Sequence, residues 1–228
     1  MTSSVLDTYR VYSNNVSSKC VVDGKINIDD NIMKWVDDSK AMYDAGETGC
    51  HAMWSDDWNK GFYPDGKVFC YFGPAWLVNF CMAADVEGSV ANQGKWGAAV
   101  GPQGFFWGGT WVLANGKTKM SKDKKAVVRD IIEWITLDST EDGLLYKWAN
   151  GTLNGEGGTK DSVSSGVVMA KSNGELAFLG GQNMFDYFVP ANKYANGKNL
   201  TQYDEGINQI WRDQVRAYAN GSKSRADA

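Results

Sequence analysis

Two segments, residues 66–76 (GKVFCYFGPAW) and residues 101–111 (GPQGFFWGGTW), constrain the fold of this chain more than any other stretch. Each passes from a strand-like run into small residues and aromatics. Residues 67–72 form a compact apolar run of the buried-strand type. Pro74 then suits the first turn of a helix, where its missing N–H is not needed. In the second segment Gly101-Pro102 breaks the chain, and Gly108-Gly109 lets a ligand or a crossing strand approach the backbone closely. Strand-to-turn-to-helix passages of this kind, with long crossovers between them, belong to an α/β fold.

The remaining elements follow from periodicity and punctuation. Residues 5–22 carry β-prone stretches, and Asp23-Gly24 is a tight-turn signal leading into residues 25–28. A helix starts at Asp29 or Asp30, carries Ile32, Trp35, Val36, Met42 and Tyr43 on one side, and stops at Gly46. Residues 47–60 read as a polar loop running into a short helix, with Trp54 and Trp58. The helix after Pro74 continues over residues 76–84. Residues 96–100 and 110–114 read as strands. Ser121 caps a helix with Val127, Val128, Ile131, Ile132 and Ile135 on one face. Ser139 and Asp142 resemble a capping box for the next helix, in which Leu144, Leu145 and Trp148 form the buried side and Gly151 is the stop. Residues 151–166, rich in Gly, Ser and Thr, read as a flexible connection. A last helix over residues 204–218 has Ile207, Ile210, Trp211, Val215 and Tyr218 on its buried face, and Gly221 closes it.

Composition narrows the class. The 228 residues suffice for one large domain or two small ones. A net charge of −4 argues against nucleic acid, which needs a concentrated basic surface. The lysines between 117 and 125 are interrupted by Asp123 and read as a solvated helix start. Ten Trp is more than core packing alone needs, because each buried indole N–H must find a partner. Some of them are expected to serve a ligand or an interface. Flat aromatic faces beside exposed amides suit a sugar, which stacks its C–H face on the ring and offers hydroxyls around its edge. No stretch is long and apolar enough to span a membrane as a helix. Met1-Thr2-Ser3-Ser4 lacks the features of a secretory signal, and the chain reads as a piece excised from a longer protein with an added initiator Met.

Cys20, Cys50, Cys70 and Cys81 include no C-x-x-C, and the one histidine is His51, so neither structural zinc nor another metal or cofactor is expected. The cysteines read as buried free thiols, with a single disulfide as the alternative. Residues 23–30 resemble a calcium loop only superficially, since Lys25 and Ile26 interrupt the ligand spacing. Sequons stand at Asn15, Asn150, Asn199 and Asn220.

Taken in order, the helix at 29–45, the aromatic-rich loop, GKVFCYFGPAW, a strand to Gly-Pro, FFWGGTW and the paired helices at 121–150 resemble the carboxy-terminal half of extracellular solute-binding proteins of the maltose-binding type. These are the capture components of ABC sugar importers. The Gly-Pro-aromatic turn at 72–76 and the Trp-Gly-Gly at 107–109 are the most specific parts of the match, which runs from about Tyr9 to the end. The resemblance implies a type II periplasmic-binding-protein-like fold, mainly one lobe, with a hinge-linked excursion into the other. Residues 1–95 and 162–228 would form the carboxy-terminal lobe. Residues 101–150 would belong to the other lobe, and 96–100 and 151–161 would be hinge connections. The main sequence of the amino-terminal lobe lies outside this chain, and that missing lobe is an expected partner. The others are a carbohydrate ligand and the permease subunits at the membrane. The expected location is extracellular, tethered as a lipoprotein in the full-length protein, or periplasmic in a Gram-negative source.

Candidate ligand contacts follow the same order. The resemblance implies that Trp76 holds the position of a sugar-stacking aromatic. Phe106, Trp107 and Gly108 lie on the returning strand. Gln182, Asn183 and Asp186, in GGQNMFDY, are placed to bond hydroxyls, and Trp54 with Asp56 forms a second aromatic–carboxylate group. Each also has a purely structural reading, as core aromatic, strand crossing or loop. Catalysis is not expected: no G-x-S-x-G occurs, and nothing fixes the carboxylate pair a glycosidase needs. A stand-alone carbohydrate-binding module or lectin-like domain is the alternative to a two-lobed binder.

Overall fold

The computed structural model describes residues 2, 4, 8–13, 20–82 and 95–228. Helix predominates, and the only sheet among the described residues is a two-stranded antiparallel pair. The expected α/β character therefore holds coarsely, as helices with a small sheet.

The pair consists of β1 (Val21–Val22) and β2 (Lys25–Ile26), with Val21 opposite Ile26 and Val22 opposite Lys25. Asp23 and Gly24 turn the chain with φ of 50° and 74°. Two consecutive positive φ values are what a two-residue hairpin requires. Upstream, the β-prone reading of residues 5–22 gives way to a short helix, α1 (Tyr9–Ser13); residues 5–7 and 14–19, with the Asn15 sequon, lie outside the described residues.

α1, α2 (Asp30–Asp44) and α9 (Asp204–Ala219) enclose one core of Tyr9, Ile32, Trp35, Val36, Val215 and Ala219. Asp29 caps α2, its carboxylate accepting from the Asn31 and Ile32 amides at 2.8 and 3.1 Å. Gly46, at φ 70°, ends it: the Glu47 amide reaches Met42 and the Gly46 amide reaches Tyr43. That is a Schellman closure, which needs the left-handed residue glycine supplies. Trp35 packs edge-on to Tyr9 at 4.8 Å and donates its indole N–H to Thr8 Oγ1 at 3.1 Å, so burial leaves no orphan donor. Arg225 grips Asp37 through two hydrogen bonds of 2.7 and 3.0 Å, fastening the chain beyond α9 to α2. On α9, Ile210 is exposed, contrary to the expected buried face; Val215, Ala219 and Arg212 are its buried residues.

A second, larger core gathers α3 (Asp56–Asn59), α4 (Ala75–Leu77), α6 (Leu144–Ala149), α7 (Gly166–Lys171) and α8 (Phe185–Ala191). Its members include Trp58, Phe62, Leu77, Leu145, Val168, Phe178, Met184 and Phe185. Pro74 stands just before α4 as its cap residue, and the helix widens into a π turn over Val78–Met82. Residues 83 and 84 of the expected helix lie outside the described residues. The start of α6 is a correction. Gly143, not Ser139, is the cap residue, and Asp138 takes the local turn bonds from the Thr140 amide and hydroxyl. A carboxylate one residue earlier fastens the chain into a local turn at Thr140, and the helix starts only at Gly143. Residues 151–166 are irregular but anchored: Gly158 donates to the Gly151 carbonyl at 2.9 Å, Asn79 donates to the Lys160 carbonyl, and Asp161 is buried.

The strands expected at 67–72, 96–100 and 110–114 do not form ladders. Cys70 makes one isolated bridge, to Thr2, which also bridges Thr48. A buried strand needs neighbours for its amides and carbonyls and cover on its faces. Among the described residues those neighbours are lacking, and Trp111 and Leu113 stand 82% and 86% exposed. α5 (Lys122–Thr136) shows the same thing. Ser121 caps it as expected, yet it buries no residue, and Val127, Ile131 and Trp134 face solvent. α6, in contrast, sets Leu145 and Ala149 into the larger core.

None of the four cysteines is in a disulfide, and all are half-buried. Burial raises the thiol pKa of Cys20, Cys50 and Cys81.

Candidate functional site

Three tryptophans from distant stretches meet on one side of the larger core. Trp54 lies in the turn before α3, Trp76 on α4 and Trp107 in the extended segment that follows Gly104. Ring centroids are 5.7 Å apart for Trp54–Trp76, 6.0 Å for Trp54–Trp107 and 5.4 Å for Trp76–Trp107. Trp54 also stands edge-on to Trp58 at 5.0 Å. Trp58 continues the group inward to Phe62 and Tyr71, whose hydroxyl donates to the Trp58 carbonyl at 2.9 Å. An aromatic chain thus runs from the surface into the core, and its outer end is held rigidly.

Local sequence explains the rigidity. The Trp76 indole N–H donates to the Trp107 carbonyl at 3.2 Å, which fixes one segment against the other. Gly108 makes that approach possible: at φ 73°, a Cβ there would stand 3.2 Å from the Trp76 Nε1. Trp54 has φ 71°, a conformation bulky residues rarely adopt. Such strain costs on the order of 1–3 kcal/mol, and ring pairs contribute roughly 0.5–1.5 kcal/mol each. Three ring contacts therefore suffice to offset it. Trp54 is 47% exposed, whereas Trp76 and Trp107 are half-buried.

One cationic group adjoins the aromatics. The Arg10 guanidinium of α1 sits over the Trp107 ring, 4.4 Å from its centroid, in cation–π geometry. Arg10 is only 8% exposed, and among the described residues its Nε–H has no hydrogen-bond acceptor. Desolvation, and then the nearby charge of Arg212, pull its pKa down to about 10, against a smaller opposing effect of Glu205. Arg212, itself buried, donates to Gln209 at 2.8 Å and lies 3.7 Å from the exposed Glu205 carboxylate.

The structure thus brings together Trp54, Trp76, Trp107 and Gly108. The other candidates have local tasks. Gln182 accepts from the Ala98 amide at 2.7 Å and donates to the Tyr187 hydroxyl at 2.7 Å, so its amide is spent fastening residues 96–98. Asn183 accepts from the Phe185 amide at 3.0 Å in the turn before α8. Asp186 is exposed in the first turn of α8. Asp56 is exposed in the first turn of α3, which Ser55 caps. Phe106 is half-exposed and lies near Gly197. Gly104, just before it, is pressed against the Ala191 carbonyl at the end of α8.

Arg10 escaped the sequence reading, because residues 5–22 looked β-prone. The available signal was Thr8 followed by Tyr9 and Tyr12, a cap residue before aromatics at helical spacing. Among the described residues no group of His, Cys, Asp and Glu side chains could hold a metal, and no helix is long and apolar enough to cross a membrane. The chain matches no family model, no curated protein and no solved structure.

Proposed function

We propose that this chain binds a mono- or oligosaccharide without chemical change, as the carboxy-terminal portion of an extracellular solute-binding protein that feeds an ABC importer. The observation that carries the reading is the convergence of Trp54, Trp76 and Trp107 from three separate stretches, with Trp54 strained and exposed. Preformed aromatic faces stack a sugar ring with little ordering cost on binding. The uncovered apolar residues of α5, with Trp111 and Leu113, support an excursion that a second lobe of a type II periplasmic-binding-protein-like fold covers.

In this reading sugar docks against the tryptophans, and the lobes close about residues 96–100 and 151–161. Gln182 serves that motion by fastening Ala98, more than it reads hydroxyls. Only a ligand that binds the closed form better shifts the equilibrium toward it. The closed form then docks on the permease subunits, at the outer face of the membrane.

The test is calorimetric titration with a panel of mono- and oligosaccharides, run beside Trp54→Ala, Trp76→Ala and Trp107→Ala. Saturable binding that the variants lose supports the reading. Absence of binding to every sugar, or binding that all three variants retain, overturns it.

A further inference from the structure

The tryptophan group has a charged neighbour that the structure leaves uncompensated. Arg10 and Arg212 are both buried, and among the described residues the acid facing them is Glu205, whose side chain is 80% exposed and whose nearest oxygen stands 3.7 Å from Arg212. Two guanidinium groups thus share one loosely held carboxylate. Arg212 has a second acceptor in Gln209. Among the described residues none accepts from the buried Nε–H of Arg10, whose contact is the face of Trp107. A buried cation with only a loosely held carboxylate nearby and an orphaned Nε–H is costly, and the fold retains one beside the rings that would stack a sugar.

Guanidinium chemistry says what would complete it. The Nε–H and a terminal N–H form a rigid fork that matches the two oxygens of a carboxylate. A neutral hydroxyl satisfies one donor and none of the charge. Resting on the carbohydrate reading above, we propose that the sugar bound at Trp54, Trp76 and Trp107 is an acidic one, a uronic acid or an oligosaccharide containing it. Arg10 receives its carboxylate while the tryptophans stack its ring. Glu205, the exposed acid beside Arg212, is the internal competitor for that positive charge.

The experiment titrates the chain with matched sugars that differ only at the acid carbon: galacturonate against galactose, glucuronate against glucose, mannuronate against mannose, as monomers and short oligomers. At least one uronate is expected to bind on the order of 10- to 100-fold tighter than its neutral partner, the range of a charge-assisted hydrogen-bonded pair. Arg10→Met is expected to abolish that preference, and Arg10→Lys to restore part of it. Because Arg10 is buried, Glu205→Gln serves as a second variant on the surface. It removes the competitor, so uronate binding tightens and neutral binding is unchanged. Equal affinity for acid and neutral partners, or no response of uronate binding to Glu205→Gln, overturns the assignment of Arg10 and leaves the carbohydrate reading standing. If neither sugar of any pair binds, both fall together.

Discussion

Asp161 lets the electrostatics of the structure be tested without any ligand. It is buried at the end of the 151–161 connection, and its carboxylate accepts from the Ser162 amide at 2.6 Å, the Ser162 hydroxyl at 3.4 Å and the Trp148 side chain. Desolvation outweighs those bonds and raises its pKa from 3.8 to about 6. The folded state therefore holds a proton that the unfolded chain has already released over this interval. Stability from the protonated form is complete below pH 3.8 and is lost as pH rises through about 6. Two pH units correspond to about 3 kcal/mol at neutral pH. Asp161→Asn keeps an acceptor oxygen and removes the titration. Relative to the native chain, the variant should be nearly neutral at about pH 4 and up to about 3 kcal/mol more stable at about pH 7.5. For a chain of this size that is a rise of roughly 6–12 °C in Tm. Thermal melts followed by circular dichroism across that range read the difference directly, since every other carboxylate cancels between the two proteins. A gap that does not change with pH, or a variant less stable than the native chain at neutral pH, would refute the reasoning.

Three further substitutions or measurements bear on the packing. Gly104→Ala places a Cβ 2.1 Å from the Ala191 carbonyl, so the 103–106 segment must lift from α8; a loss of about 1–3 kcal/mol is expected in urea melts, and an unchanged midpoint would contradict the packing. Gln182→Ala removes the acceptor for Ala98 and the donor to Tyr187, and hydrogen exchange at the Ala98 amide should accelerate about 5- to 150-fold, the equivalent of the roughly 1–3 kcal/mol of an orphaned partner. Titration with a thiol reagent should count four thiols in denaturant and slower reaction at Cys20, Cys50 and Cys81 in the native chain, where burial disfavours the thiolate; two thiols instead of four would reveal a disulfide.

Local signals were legible wherever the residue's own backbone decided the outcome. Asp29 and Ser121 cap their helices as read, Asp23-Gly24 makes its turn, and Gly46, Gly151 and Gly221 close helices with positive φ. Pro74 and Gly108 were legible for the same reason: Pro74 stands just before α4, and Gly108 takes a φ of 73° beside Trp76. Strands were less legible, because a ladder depends on neighbours elsewhere. Residues 67–72, 96–100 and 110–114 carry strand-like patterns, yet no ladder partner stands beside them among the described residues. The same dependence misled the reading of Gln182, whose composition suits a sugar contact but whose amide Ala98 and Tyr187 have taken. Arg10 was invisible for a different reason: a lone basic residue acquires meaning only when burial and Trp107 surround it.

The most direct test of the central claim is an indole N–H spectrum of the chain labelled with nitrogen-15 tryptophan, recorded as saccharides are added. The account expects the Trp54, Trp76 and Trp107 resonances to shift together and saturably, largest for a uronate, while that of Trp35, buried in the other core, stays in place. Shifts confined to Trp111 or Trp134, or a spectrum that no saccharide moves, would contradict it.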